Sequence, residues 1–308
     1  MKNLQNVYLV GLGAIGSAYA AKMEDAVPGL VKVIVDQKRL TTYLDQEVKV
    51  NGKAYRFPLV TPEQATEKAD LILVAVKGHH LDETIEQLRP FVGRETIILS
   101  LLNGITSEEA IGKVYGLEKL LYSFVVATDA TRTGRVTHYS TIGRIVFGEK
   151  QNAVYSSKVL AVKELFDRTG VPYTIPVDMM RELWWKFMMN VGVNQVSAIL
   201  KAPYGVFQRV KEAQELMMMA CGEVLQIAEK IGINLTAGDI EEYLRVIGGL
   251  ASEGKTSMLQ DVEAGRKTEV ESFAHTVVAL GEKYGVATPV NACLGRMLAT
   301  LEQTYPQE

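Results

Sequence analysis

Three glycines near the start of the chain constrain its fold more than any other feature. They follow the short apolar run Val7–Val10 and precede a helix-forming segment that begins at Ser17. A strand, a Gly-x-Gly-x-x-Gly turn and a helix, in that order, open a dinucleotide-binding fold, in which the helix amino terminus faces a pyrophosphate. The predicted cofactor-binding turn consists of Gly11, Leu12, Gly13, Ala14, Ile15 and Gly16.

The rest of the chain divides into two kinds of pattern. Apolar runs at 31–35, 71–76 and 96–101 alternate with helical stretches, which is typical of a doubly wound parallel sheet. Segments around 134–139 and 144–148 are predicted to extend that sheet as antiparallel strands. After Pro176 the chain is rich in Met, Ala, Leu and Glu at helical spacing. We therefore predict an α/β fold class, with an amino-terminal Rossmann-type domain over residues 1–176 and an all-helical domain over 177–308.

Length, charge and cysteine content limit the partners and binding sites that this chain can be expected to have. A chain of 308 residues predicts two domains, and a formal charge of −3 without charge blocks disfavours nucleic acid as a partner. Cys221 and Cys293 are the two cysteines, so a disulfide framework and a thiolate metal site are not expected. No stretch reaches the ~18–20 apolar residues of a membrane span. We expect a cytoplasmic protein with no metal and no membrane partner, and the sequence leaves its oligomeric state, including a homodimer, open.

The choice of cofactor rests on residues that follow the second strand. Asp36 lies 20 positions beyond Gly16, where a carboxylate binds the ribose 2′-hydroxyl of NAD. Lys38 and Arg39 follow directly and could bind the 2′-phosphate of NADP, or could belong to a solvated loop. The carboxylate favours NADH and the two cations favour NADPH.

Two further polar residues end predicted parallel strands. Lys77 follows the run 71–76, and Asn103 follows the run 96–101. Open α/β sheets bind ligands at the carboxyl ends of their strands, so both residues could flank a nicotinamide and a substrate. His79 and His80 come next to Lys77, but two adjacent histidines without other ligands make a poor metal site.

A polar strip marks one predicted helix of the second domain. Lys186, Asn190 and Asn194 are spaced four residues apart, and their neighbours are mostly apolar. A buried lysine is unfavourable unless a partner or a function keeps it there. Taken alone, the strip is equally well interpreted as the solvent-facing side of an amphipathic helix.

These motifs together resemble the ketopantoate reductase family over nearly the whole chain. The glycine turn is generic, and Val76-Lys77 and Asn103-Gly104 add to it. Two longer blocks are specific, namely Glu182-Leu183-Trp184-x-Lys186-x-x-x-Asn190-x-x-x-Asn194 and Ser257-Met258-x-x-Asp261-x-x-x-Gly265-x-x-Thr268-Glu269. The resemblance implies NADPH-dependent reduction of 2-dehydropantoate to pantoate, toward pantothenate and coenzyme A, in a cleft between a Rossmann domain and a helical domain.

The resemblance also implies roles for individual residues. Lys186 would be the general acid and Glu269 a carboxylate near lysine and substrate. Asn190 and Asn194 would bind substrate, and Ser257 would donate to its carboxylate. Lys77 and Asn103 would belong to the cleft, Asn103 facing both cofactor and substrate.

Three positions depart from the family pattern. The arginine that the family commonly has after its second strand is replaced by Asp36-Gln37-Lys38-Arg39, a substrate-contacting asparagine by Tyr204, and an Asn-Gly pair by Ala274-His275. An NADH-dependent 2-hydroxyacid dehydrogenase acting on another 2-oxo acid is therefore the first alternative. A dinucleotide sensor that performs no chemistry is the second, although a sensor has no need of the lysine and asparagine strip.

Overall fold

The computed structural model describes residues 3–43 and 47–305, and the chain folds into two compact units. The first unit runs to Leu102, resumes at Ser107 and ends at Met179. The second consists of Asn103–Thr106 and the chain from Met180 onward. Each unit has its own hydrophobic core. No helix in the described ranges is long and apolar enough to cross a membrane.

The first unit is an α/β structure. Its strands are β1 (Val7–Val10), β2 (Val31–Ile34), β3 (Val48–Val50), β4 (Lys53–Tyr55), β5 (Leu59–Val60), β6 (Leu71–Val74), β7 (Ile97–Ser100), β8 (Leu120–Val126), β9 (Thr131–Thr133), β10 (Val136–His138), β11 (Arg144–Gly148) and β12 (Tyr173–Thr174). Its helices are α1 (Ala14–Ala26), α2 (Gln37–Tyr43), α3 (Leu81–Leu88), α4 (Ser107–Tyr115) and α5 (Ser157–Thr169).

Within the described residues, eight strands form the main sheet in the order β12-β11-β8-β7-β6-β1-β2-β5. The strands from β8 to β5 pair in parallel, whereas β11 runs antiparallel to β8. Successive residues of β1 alternate between two cores, because Val7 and Leu9 pack on one face while Tyr8 and Val10 pack on the other. Both faces are therefore buried, which confirms the predicted doubly wound sheet.

The prediction for segment 134–139 was wrong in one respect. β11 does extend the main sheet, but β10 belongs to a separate small sheet of order β4-β3-β10-β9. Gly134, with φ of +58°, opens a two-residue turn that pairs Val136 with Thr133. A tight hairpin of this kind takes its partner from the adjacent segment, so β10 pairs with β9 rather than with the main sheet.

The second unit is helical. After α6 (Met179–Met189) the chain forms a π-helical turn (Asn190–Asn194) and continues as α7 (Gln195–Leu200), α8 (Tyr204–Arg209), α9 (Lys211–Lys230), α10 (Ala237–Gly248) and α11 (Ser257–Glu263). A second π-helical turn (Glu271–His275) leads into α12 (Thr276–Tyr284), and α13 (Pro289–Gln303) follows. The helix predicted through Asn194 is thus present, but it is not α-helical throughout.

The long helix α9 lies at the centre of this unit. Its buried face carries Met217, Cys221, Val224 and Ala228, spaced three or four residues apart. It packs against the first π-helical turn at Gly192, where a Cβ atom would lie 2.4 Å from the Cys221 sulfur. Only glycine therefore allows α9 to approach this turn so closely.

Candidate active site

The three glycines of the first turn are required for different reasons. Gly11 has φ of +98°, and a Cβ there would lie 2.5 Å from the Ala75 carbonyl oxygen. A Cβ on Gly16 would lie 1.9 Å from the Gly11 oxygen. Gly13 has an ordinary φ of −71°, and its Cβ would meet only the Ala75 oxygen, at 3.8 Å. The protein itself therefore excludes side chains at Gly11 and Gly16 but leaves space at Gly13.

The first turn of α1 has the properties of an anion site. No described side chain caps the helix at Gly13, and no acidic residue lies in its first turn. The N–H groups of Ala14, Ile15 and Gly16 are thus without intrahelical partners, as at any helix start. Leu12, within the glycine turn, is buried against the core of the first unit. The turn fits a dinucleotide pyrophosphate, with Gly13 providing the close approach.

Asp36 lies directly after β2 and holds the start of α2. One carboxylate oxygen accepts the Arg39 backbone N–H at 2.6 Å, and the other lies 3.2 Å from the Arg39 guanidinium. Lys38 is exposed beside them. Asp36 therefore caps a helix as well as occupying the position of a ribose ligand.

Lys77 is half-buried and follows β6, as its position in the sequence predicts. Its carbonyl accepts the His80 N–H at 2.9 Å and so begins a short 3₁₀ turn over Gly78–His80.

In the helical unit, Lys186 lies half-buried near the end of α6. Burial lowers the pKa of its ammonium group to about 8, and the charge of Glu269 partly opposes that shift. The acidity of this lysine thus comes from its surroundings, and Glu269 is close enough to act on it.

The asparagines connect to the same carboxylate. Asn190 donates through Nδ2 to Asn103 Oδ1 at 3.4 Å, and Asn103 Nδ2 donates to Glu269 Oε2 at 3.1 Å. Asn190 and Asn194 are both buried in the π-helical turn that follows Lys186. The helical unit therefore brings together four of the predicted residues, Lys186, Asn190, Asn103 and Glu269, and Asn194 lies at the other end of the turn that begins at Asn190.

Ser257 is the first residue of α11 and is exposed. The neighbouring Thr256 caps that helix by accepting the Leu259 N–H at 3.1 Å. Helix α11 packs against α7 and the Asn190–Asn194 turn. Ser257 thus lies on an element that contacts the asparagine turn, and it is not the helix cap.

Other parts of the specific block have structural partners. Asp261 is buried and accepts from the Arg266 guanidinium at 2.9 Å. Glu302, near the end of α13, accepts the Thr268 backbone N–H at 2.7 Å and holds the residue next to Glu269. Sequence reasoning missed Glu302, because nothing in the chain links it to a residue 34 positions away.

Known proteins match the chain over almost its full length. Residues 7–152 match the family model described as ketopantoate reductase PanE/ApbA, and residues 178–302 match the model of its C-terminal domain. A 2-dehydropantoate 2-reductase from Aquifex aeolicus is 27% identical over 307 residues, covering 96% of each chain.

Two solved structures share the fold. D-mandelate dehydrogenase, in a ternary structure with NADH and anilino(oxo)acetate, has a TM-score of 0.84 at 21% identity, covering 97% of this chain and 98% of that one. A dimeric ketopantoate reductase from Staphylococcus aureus has a TM-score of 0.80 at 18% identity, covering 97% and 99%. With both family models matched in order along one chain, this protein belongs to the ketopantoate reductase family.

Proposed function

We propose that this protein reduces 2-dehydropantoate to pantoate with a nicotinamide cofactor, as a step of pantothenate biosynthesis in the cytoplasm. The observation that carries the proposal is the connected group Lys186, Glu269, Asn103 and Asn190. This group joins a lysine ammonium of lowered pKa to neutral amide donors. Reduction of a 2-oxo acid requires a proton donor for the carbonyl oxygen and hydrogen-bond donors for the carboxylate. The 2-dehydropantoate 2-reductase from Aquifex aeolicus, matched over 96% of each chain, supports the choice of substrate.

The reaction delivers a hydride to the carbonyl carbon and a proton to the oxygen that becomes an alkoxide. When bound, the reduced nicotinamide supplies that hydride. As the carbonyl electrons move onto oxygen, the Lys186 ammonium stabilises the developing charge and donates its proton. With a pKa of about 8, it is charged at neutral pH yet more acidic than an ordinary lysine.

Glu269 and Asn103 support the lysine. The Glu269 carboxylate favours the charged form of Lys186, and the amide of Asn103 orients that carboxylate. Asn190, Asn194 and Ser257 are neutral donors for the substrate carboxylate, so they bind an anion without adding a cation that would compete for Glu269.

For the cofactor we propose NADPH, bound by the glycine turn with Lys38 and Arg39 at the 2′-phosphate. Asp36 has one oxygen on the Arg39 backbone and the other on its guanidinium, so its charge is already partly satisfied. Such a pair can turn the guanidinium toward a phosphate. NADH remains the alternative, because the same carboxylate suits a ribose hydroxyl.

A panel assay tests both choices. The kcat/KM values for 2-dehydropantoate, 2-oxoisovalerate and phenylglyoxylate should be measured with NADPH and with NADH. We expect the highest value for 2-dehydropantoate with NADPH, and Lys38→Ala with Arg39→Ala should raise KM for NADPH while leaving KM for NADH nearly unchanged. Preference for another 2-oxo acid with NADH would instead favour a 2-hydroxyacid dehydrogenase, as in the mandelate enzyme that shares this fold.

Absence of turnover with every substrate, combined with tight nucleotide binding, would favour the dinucleotide sensor.

The oligomeric state is part of the proposal as well. The dimeric Staphylococcus aureus enzyme shares the fold, and we propose a homodimer, which light scattering measures directly.

A further inference from the structure

The two asparagines of the candidate site lie on an unusual piece of helix. Asn190 and Asn194 begin and end the π-helical turn between α6 and α7. In an α-helix four residues turn through about 400°, so Asn190 lies about 40° past Lys186. A π-helical turn is wider, with i→i+5 bonds, so four residues fall short of a full turn and Asn194 rotates back toward Lys186. The three side chains stay closer to one line than a continuous α-helix allows.

Side chains bond to the carbonyl groups around this turn. Gln195 Nε2 donates to the Val191 oxygen at 2.8 Å, and the Tyr243 hydroxyl donates to the Met189 oxygen at 3.1 Å. Both side chains are buried. A π-helical turn disturbs the regular i→i+4 ladder, and both donors bond to carbonyl oxygens within or next to that disturbed stretch.

Gln195 is held by a relay from two other helices. Its Nε2 also donates to Asn291 Oδ1 at 3.0 Å, and Asn291 Nδ2 donates to Glu223 Oε2 at 2.7 Å. Glu223 in turn accepts the backbone N–H groups of Val290 at 2.7 Å and Asn291 at 2.9 Å. All three relay side chains are buried.

This arrangement is unfavourable for stability in one respect. Gln195 Oε1 has no hydrogen-bond partner among the described residues, although the side chain is 0% exposed. A buried acceptor without a donor destabilises a fold. The amide offsets this loss through its two donor contacts, to the Val191 oxygen and to Asn291 Oδ1.

We propose that Gln195, oriented by Asn291 and Glu223, is a positioning residue that holds the π-helical turn and thereby aligns Asn190 and Asn194 with Lys186. The inference rests on the proposed function for its catalytic consequence. Its structural part, that the Gln195 amide maintains the turn, stands on the contacts alone.

The test compares two glutamines of the same unit. Gln195→Met removes the amide at nearly constant volume. Gln208→Met is the matched control, because Gln208 Nε2 also donates to two carbonyls, those of Ile247 at 3.0 Å and Leu250 at 2.8 Å, away from the turn. Amide hydrogen exchange over residues 188–197 should be at least about tenfold faster in Gln195→Met and unchanged in Gln208→Met.

Kinetic measurements then test whether the π-helical turn affects the rate of the reaction. In Gln195→Met we expect kcat/KM for the 2-oxo acid to fall about 10- to 100-fold, the usual effect of a small misplacement, with KM for the nucleotide unchanged. In combination with Asn194→Ala, the loss should be smaller than the sum of the two single losses, because part of the Gln195→Met effect is exerted through Asn194. Should Gln195→Met not fold, Asn291→Leu removes the acceptor that orients Gln195, and both measurements are repeated on it.

The possible results of these experiments distinguish failure of the positioning role of Gln195 from failure of the proposed function. Unchanged exchange over 188–197 would overturn the inference, and so would faster exchange accompanied by fully additive kinetic losses. If the parent protein reduces no 2-oxo acid, the proposed function fails, and the exchange comparison still decides whether Gln195 holds the turn.

Discussion

At the scale of single residues, the chemistry of the candidate site depends on neighbours that are distant in the sequence. Burial lowers the pKa of Lys186, and the charge of Glu269, 83 residues later in the chain, partly raises it again. Asn103 comes from a third part of the chain and holds that carboxylate. The sequence motif identifies the lysine, whereas its lowered pKa depends on the folded unit.

We predict that Lys186→Ala lowers kcat by ~10²–10⁴-fold, the usual contribution of a positioned acid, with little change in cofactor binding. The parent kcat/KM for reduction should fall as pH rises above about 8, because the acid must be protonated. Steady-state rates across pH, with nucleotide titrations of both proteins, measure these effects.

Lys211→Ala is the control, since that lysine is exposed and pairs with Glu215 one helical turn away. Near-parental turnover in Lys186→Ala, or a parent profile that stays flat through pH 9, would remove Lys186 from proton transfer.

At the scale of elements, the strand–turn–helix pattern was readable because the three glycines stand at a fixed short spacing between an apolar run and a helix-forming segment. The Asn51-Gly52 hairpin between β3 and β4, with φ of +49° and +83°, also depends on adjacent residues, although it was not among the predictions. The π-helical turns were not readable in this way. One donor at the first of these turns, the Tyr243 hydroxyl that bonds to the Met189 carbonyl, lies on another helix.

For the glycine turn we predict that Gly13→Ala raises KM for the nucleotide at least about tenfold while the protein stays as stable as the parent. The added methyl group meets only the Ala75 oxygen at 3.8 Å, so any loss must come from the ligand side. Thermal melts and cofactor titrations distinguish the two effects.

Two other glycines serve as controls. Gly16→Ala should destabilise the fold, because its methyl group would lie 1.9 Å from a backbone oxygen, whereas Gly222→Ala, which meets nothing within 4 Å, should change neither property adversely. Unaltered nucleotide affinity in Gly13→Ala would show that no pyrophosphate approaches this position.

At the scale of the whole molecule, stability depends on pH through a buried carboxyl group outside the candidate site. Glu108, in the first turn of α4, accepts from Ser107 Oγ at 2.9 Å. Burial raises its pKa from 4.5 to about 7. A raised carboxyl pKa favours the protonated folded state, so this stabilisation is complete below pH 4.5 and is lost as pH rises through about 7.

We predict that Glu108→Gln removes a decrease of up to a few kcal/mol in unfolding free energy between about pH 5 and pH 7. Lys186, with a pKa of about 8, keeps its charge through this window and adds no slope there. Urea titrations at several pH values measure the effect. Glu109→Gln is the control, because that neighbour is exposed. The same slope in Glu108→Gln as in the parent would contradict the assignment.

The sequence alone determined what depends on short-range geometry: the glycine turn, the alternation of strands and helices, and the order of the two family blocks. Spacing of four residues put Lys186, Asn190 and Asn194 on one helix, and the residues themselves indicated the chemistry. The tertiary structure decided what depends on contacts between distant segments. These include the pairing of β10 with β3 and β9, the bond of Asn103 to Glu269, and the relay that reaches Gln195. Periodicity reports which face of an element is buried, but not which distant segment covers it.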